Sequence, residues 1–256
     1  MTFKNSRITL LLLILAYVGL DTFLSNKSAT NWKHPLRVVI YPINADGQKT
    51  TDNYIATLDD SQFDDFQTML QREATSYGLN LSSPIQIQLS QAIKSLPPAI
   101  PKDRNPLNVI WWSLKLRYWS WKTDNHEGIK PQIRAYVLYF TPNDRKQLAH
   151  STGLKESKIA LIQLSAHKKS TQQNNVIILH ELLHTLGATD KYDLQNNQPI
   201  FPDGYAEPNL KPTLPQRKAE IMAGRIAITQ SKFRTPAGLM QTVVGTKTAR
   251  EIGWVK

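Results

Sequence analysis

Within the stretch VIILHELLHTLG, His180, Glu181 and His184 form a His-Glu-x-x-His arrangement. Four residues make about one helical turn, so on a helix both imidazoles project from one face and can bind a single ion. Glu181 lies about 100° further round, where its carboxylate cannot easily join them as a ligand but can reach a water on that ion. Val176, Leu179, Leu183 and Leu186 cover a different face and would bury the helix. That context argues against the bland alternative of two surface histidines. Asn174 or Asn175 is the expected N-cap and Gly187 the expected stop.

Hydrolytic metal sites use three protein ligands and keep one position open. The chain has no cysteine, which excludes thiolate ligands and disulfides and leaves histidine and carboxylate donors. That donor set predicts one Zn2+ ion. Gly187 can take a left-handed conformation that turns the chain back, so that Asp190, three residues on, swings under the same ion. Asp190 is the expected third ligand. Asp193 offers a neighbouring carboxylate, and Glu207 or Glu220 could serve if the third ligand came from further along.

His180, Glu181, His184, Gly187 and Asp190 together match HExxHxxGxxH/D, and here the sequence resembles the metzincin metallopeptidases. The aspartate form is similar to the snapalysin branch. AEIMAGR, Ala219 to Arg225, is similar to the family's Met-turn, with Met222 in place. The resemblance implies a zinc metalloendopeptidase in which His180, His184 and Asp190 hold the metal and Glu181 is the general base. It also implies that Ile133–Phe140 or Lys158–Leu164 is an edge strand pairing with an extended protein or peptide substrate. Tyr192 or Tyr205 could reach the oxyanion, although packing explains either one. A hydrolase of cell-wall cross-links and a non-catalytic zinc-binding envelope protein are the alternative readings; a structural site would have no use for Glu181.

The elements that must carry this site are legible in part. LRVVIYPI, Leu36 to Ile43, predicts a buried strand, IQIQL from Ile85 to Leu89 a half-buried one, and the stretches at Ile133–Phe140 and Lys158–Leu164 two more. Ser61 to Tyr77 predicts a core helix with Ser61 as cap, Phe63, Phe66, Met69 and Leu70 on one stripe, and Gly78 as stop. Four prolines between Leu96 and Pro106 break regular structure. The segment Trp111–Trp121 fits helix or strand, and its aromatics are expected in the core rather than on a binding surface. The loop Gln195–Pro215, with five prolines, is placed to wall the cleft. His34, His126, His150 and His167 read as surface residues. No internal repeat is evident.

These elements predict an α+β fold: a single metzincin-like zinc-protease domain over residues 31–256, with a mixed twisted sheet and an active-site helix. Ahead of it, Lys4 and Arg7 precede an apolar run from Ile8 to Leu20, so residues 1–30 read as a signal-anchor or signal peptide. An uncleaved inner-membrane anchor with a periplasmic catalytic domain is the expectation, or secretion if the segment is cut. The 31 basic residues exceed the 20 acidic ones, giving a net charge of +11. The excess is scattered and lacks an aromatic-plus-basic recognition motif, so nucleic acid is not an expected partner; a monomer is expected.

Overall fold

The computed structural model describes residues 28–255 except 102, 104, 143–151 and 156, together with residues 5–7, 9, 12, 13, 16, 19 and 20. Five strands, β1 (Leu36–Asn44), β2 (Ile85–Leu89), β3 (Ile133–Phe140), β4 (Thr152–Leu154) and β5 (Ile159–Ser165), form one sheet. Their spatial order is β2-β1-β3-β5-β4. The pairs β1/β2, β1/β3 and β3/β5 are parallel, whereas β4 runs antiparallel to β5. Parallel neighbours need crossover connections. Helices α1 (Lys49–Ile55) and α2 (Asp64–Ser76) lie between β1 and β2, and α3 (Pro106–Thr123) lies between β2 and β3. After β5 come α4 (Thr171–Leu186) and, near the C-terminus, α5 (Thr246–Glu251).

Strand side chains alternate between faces, and here both faces are covered. Val38, Ile40, Ala135, Val137, Ala160 and Ile162 belong to one core with Phe66 and Met69 of α2 and Ile178, Leu179 and Leu182 of α4. Val39, Tyr41, Ile43 and Tyr136 point the other way, to Trp112 and Leu116 of α3. The strand LRVVIYPI is therefore apolar almost throughout because no face of it meets water.

The mixed architecture fits the α+β expectation, and the membrane segment expected ahead of it does not survive. Among the described residues no helix is long and apolar enough to cross a membrane. The inner-membrane, periplasmic placement loses its support with it; residues 21–27 and several positions between 8 and 18 lie outside the described residues. Residues 28–30 also fold onto the body rather than ahead of it: Ala29 is buried, and Ser28 accepts a bond from Gln132 Nε2 at 3.1 Å.

Other expectations shift locally. A 3-10 turn at Asp60–Phe63 precedes α2, and its cap is Asp59, whose Oδ1 accepts from the Ser61 amide at 2.9 Å; Ser61 is inside the turn, and α2 itself follows Phe63 with no side-chain cap. Strands β3 and β5 are interior, so neither is the edge expected to receive a substrate; the sheet's edges are β2 and β4. Trp111–Trp121 lies in a helix, capped by Asn105 Oδ1 accepting from the Leu107 amide at 3.0 Å. Its aromatics divide: Trp112 is buried in the core and Trp119 packs 4.7 Å from the Tyr136 ring, whereas Trp111, Tyr118 and Trp121 are 59%, 62% and 74% exposed.

Candidate metal centre

The helix that carries the motif, α4, begins at Thr171, four residues before Asn175. Asn174 and Asn175 are thus interior positions, not caps. Both are buried and donate outward, Asn174 Nδ2 to Ser165 O at 3.0 Å and Asn175 Nδ2 to Gln62 O at 2.7 Å, pinning the helix to its neighbours. Gly187 ends it at φ 107° as expected, and the Gly187 and Ala188 amides close on His184 O and Leu183 O. A further terminal carbonyl, Thr185 O, accepts from the buried Lys158 Nζ at 2.6 Å.

Past that bend the chain brings Asp190 back. Its Oδ1 lies 3.1 Å from His180 Nε2 and 3.1 Å from His184 Nε2, and the two imidazole nitrogens are 3.1 Å apart. The three atoms form an equilateral triangle. Ligands on a tetrahedral ion with bonds of about 2.0–2.1 Å sit about 3.3 Å apart, so one point within bonding reach of all three exists, with one side of it open.

The protonation pattern argues that this point takes a cation. His180 Nδ1 faces Ile221 O at 3.0 Å and His184 Nδ1 faces Ala188 O at 2.8 Å. A carbonyl can only accept, so each Nδ1 carries a proton and Nε2 is the nitrogen turned inward, its lone pair available to a metal whenever the ring is neutral. Two lone pairs and a carboxylate oxygen meeting at this distance repel unless a proton or a metal lies between them. Protons respond accordingly. Burial alone would lower the His184 pKa, yet the Asp190 carboxylate and the Ala188 carbonyl raise it. Burial alone would raise Asp190, yet the two imidazoles hold it well below the usual carboxylate range.

Glu181 adjoins the triangle. With His180 and His184 it forms a group whose potential ligand atoms lie within 4.8 Å of one another, near enough to hold an ion or to reach a water on it. Glu181 is buried, and its Oε2 has no hydrogen-bond partner. Burial raises its pKa, followed by opposing effects of His180 and His184 and a reinforcing one from Asp190. An unpartnered buried carboxylate oxygen is costly and marks a position meant for a ligand or water.

The alternative third ligands are occupied elsewhere. Asp193 caps its own turn by accepting from the Gln195 amide at 2.7 Å, and Glu207 pairs with Arg217 at 3.0 Å. Glu220 is fully buried and accepts from the Met222 and Ala223 amides at 2.6 and 3.0 Å, the Gly245 amide at 3.0 Å and Thr248 Oγ1 at 2.7 Å. It thereby shapes the turn around Met222, which is itself fully buried. That turn supports the site through Ile221 O on His180 and through Met222 O, which accepts from the Lys191 amide at 3.1 Å.

Two further residues support the site. Tyr192 packs its ring 6.4 Å from that of His180, and burial, followed by the Asp190 and Glu181 carboxylates, raises its pKa; Tyr205 instead stacks edge-on against Phe201 in the proline-rich loop. Glu251, from α5, grips both neighbours of Asp190. It accepts from the Thr189 amide at 3.0 Å, Thr189 Oγ1 at 2.8 Å and Lys191 Nζ at 2.7 Å. A Glu251→Gln variant is expected to weaken metal binding about tenfold without unfolding the chain, measured by competition with a chromophoric chelator. Burial pushes the Glu251 carboxyl up, but Lys191 and Thr189 outweigh it and lower its pKa. A lowered carboxylate pKa contributes stability above the unfolded value, about 4.3, and the contribution is lost as pH falls through the lower folded value. The tether therefore holds at neutral pH.

Of the remaining histidines, His34 and His167 are exposed as expected, His126 is half-buried with an unpartnered Nε2, and His150 lies outside the described residues. Compared with known proteins, the chain matches no family model, no curated protein and no solved structure.

Proposed function

We propose that the chain is a zinc-dependent peptidase of metzincin type. The single observation that carries this reading is the equilateral convergence of His180, His184 and Asp190 with an unpartnered Glu181 carboxylate oxygen beside it. Two imidazoles and one carboxylate, with an open side, are the donor set of a catalytic rather than a structural zinc site. The left-handed Gly187 and the buried Met222 under a turn that holds His180 add to the likeness.

When bound, zinc supplies Lewis-acid polarisation of a carbonyl oxygen and a lowered pKa for water. The chain's own residues do the rest. His180, His184 and Asp190 fix the geometry, the two imidazoles each oriented by a second bond, to Ile221 O and Ala188 O. Glu181 takes the proton from the attacking water and returns it to the departing amine. The Gly153 amide of β4 lies close enough to the Glu181 carboxylate to lower its pKa slightly, against the larger rise from burial.

The substrate track proposed is edge strand β4, which among the described residues pairs with β5 alone and so offers main-chain donors and acceptors on its other side to an extended peptide. Gly153 lies tight against α4: a β-carbon there would meet His184 Cβ at 2.7 Å and collide with Glu181 O. The edge and the metal ligands are therefore one packed unit. Incubation with a library of internally quenched peptides tests the proposal. Hydrolysis that is abolished by 1,10-phenanthroline and restored by added zinc is expected; no cleavage with zinc bound would refute the peptidase reading.

A further inference from the structure

Helix α3 carries two apolar faces, and the fold uses only one. Trp112, Leu116 and Ser120 face the sheet, with Tyr136 accepting or donating across to Ser120 at 2.7 Å. On the opposite side Leu107, Ile110, Trp111, Leu114, Tyr118 and Trp121 recur at helical spacing, and all are exposed, from 37% at Leu114 to 74% at Trp121. At about 1.5 Å per residue the stripe runs about 21 Å. The proline-rich loop before the helix extends it with Leu96 and Ile100, also exposed, and is fastened to α3 by Trp112 Nε1 donating to Pro98 O at 2.9 Å. Water-facing apolar surface of this size and continuity marks a binding face.

The charges around the stripe identify what covers it. Within α3 there are three basic residues, Lys115, Arg117 and Lys122, and no acidic one. Lys115 and Lys122 are exposed, and the Lys115 ammonium sits 5.3 Å from the Trp111 ring centroid, stem along the apolar face and charge at its margin. Of the flanking acids, Asp124 is paired with Arg134 at 2.8 Å, whereas Asp103 keeps its charge and accepts from Asn108 Nδ2 at 2.8 Å, leaving basic residues in excess along the helix. Protein interfaces are depleted in lysine relative to the rest of the surface, whereas Trp and Tyr above a Lys/Arg border is the pattern of a helix lying in the headgroup layer. The chain's net charge of +11 acts in the same direction.

We infer that α3 is an interfacial helix that lays its exposed aromatic stripe onto an anionic lipid bilayer, without crossing it. The helix sits on the sheet face opposite to the one that packs α4, so docking leaves the metal centre uncovered. The inference stands on α3 alone and is independent of whether the metal centre hydrolyses peptides.

The test uses the full chain, which has no cysteine, so a single introduced thiol reports one place. Tyr118→Cys carries a polarity-sensitive dye on the stripe, and Gln71→Cys carries it on α2 as control. On vesicles of phosphatidylcholine containing phosphatidylglycerol, the dye at 118 is expected to shift to the blue and the dye at 71 to stay unchanged; pure phosphatidylcholine gives a weaker shift. Lys115→Glu with Lys122→Glu lowers the apparent vesicle affinity at least about tenfold. No shift at 118, equal shifts at both positions, or unchanged affinity in the charge-reversed variant overturns the proposal. A shift that grows with protein concentration without vesicles overturns it in favour of a second copy of the chain.

Discussion

Glu181→Gln is expected to reduce peptide hydrolysis by about 10²–10⁴-fold while leaving one zinc bound per chain. The substitution changes no shape and removes no ligand, since the triangle is made by His180, His184 and Asp190. What it removes is the ability to accept a proton at a buried oxygen that no other group among the described residues engages. Because burial raises the Glu181 pKa, the wild-type carboxyl is moved towards the range in which it can both take and return a proton. The loss should therefore appear in kcat, with KM nearly unchanged. Hydrolysis within about twofold of wild type would remove Glu181 from the chemistry.

Glu220→Ala should give the largest stability loss of any substitution outside the metal ligands. Four donors converge on a fully buried carboxylate, two amides from the Met222 turn and two groups at the start of α5. Truncation leaves all four without a partner in a place water does not reach, at a cost of about 3–5 kcal/mol. For a chain of this size that lowers Tm by about 10 °C or more. Two consequences reach the site: the turn presents Ile221 O to His180, and α5 carries Glu251, which brackets Asp190. Zinc affinity should fall along with stability. Glu220→Gln restores one acceptor oxygen but turns an NH2 towards two amide donors, so its rescue is partial. A Glu220→Ala chain melting within about 2 °C of wild type would show that the turn is held by other contacts.

The legible part of the molecule was its local part. His180 and His184 are four residues apart and Gly187 follows at the helix end, so the face, the bend and the return of Asp190 are all short-range consequences of helix geometry. The strands β1, β2, β3 and β5 announced themselves within one residue: β1, β3 and β5 are covered on both faces and read as apolar runs, and β2 alternates because one of its faces is largely exposed. The supports of the site were not legible: Glu251 acts on Thr189 and Lys191 from 60 residues away, and nothing in its surroundings marks it. The three-residue edge β4 is too short for a pattern. Asn174 and Asn175 resembled caps because asparagine favours caps, but tertiary partners at Ser165 O and Gln62 O claimed them inside the helix. In α3, apolar residues occupy both faces, so periodicity alone did not say which face meets the sheet. The apolar N-terminal run likewise predicted a span for which no described helix is long and apolar enough.

The central claim is that His180, His184 and Asp190 hold one ion between them. Zinc stoichiometry and X-ray absorption on the purified chain, beside an Asp190→Ala variant, test it most directly. The expected result is one zinc per chain with two imidazole nitrogens and oxygen donors at about 2.0–2.1 Å. In the variant, affinity should fall by more than the about 10–100-fold that loss of a supporting residue costs. A chain that takes up no zinc at neutral pH, or a variant with wild-type affinity and an unchanged spectrum, would contradict it.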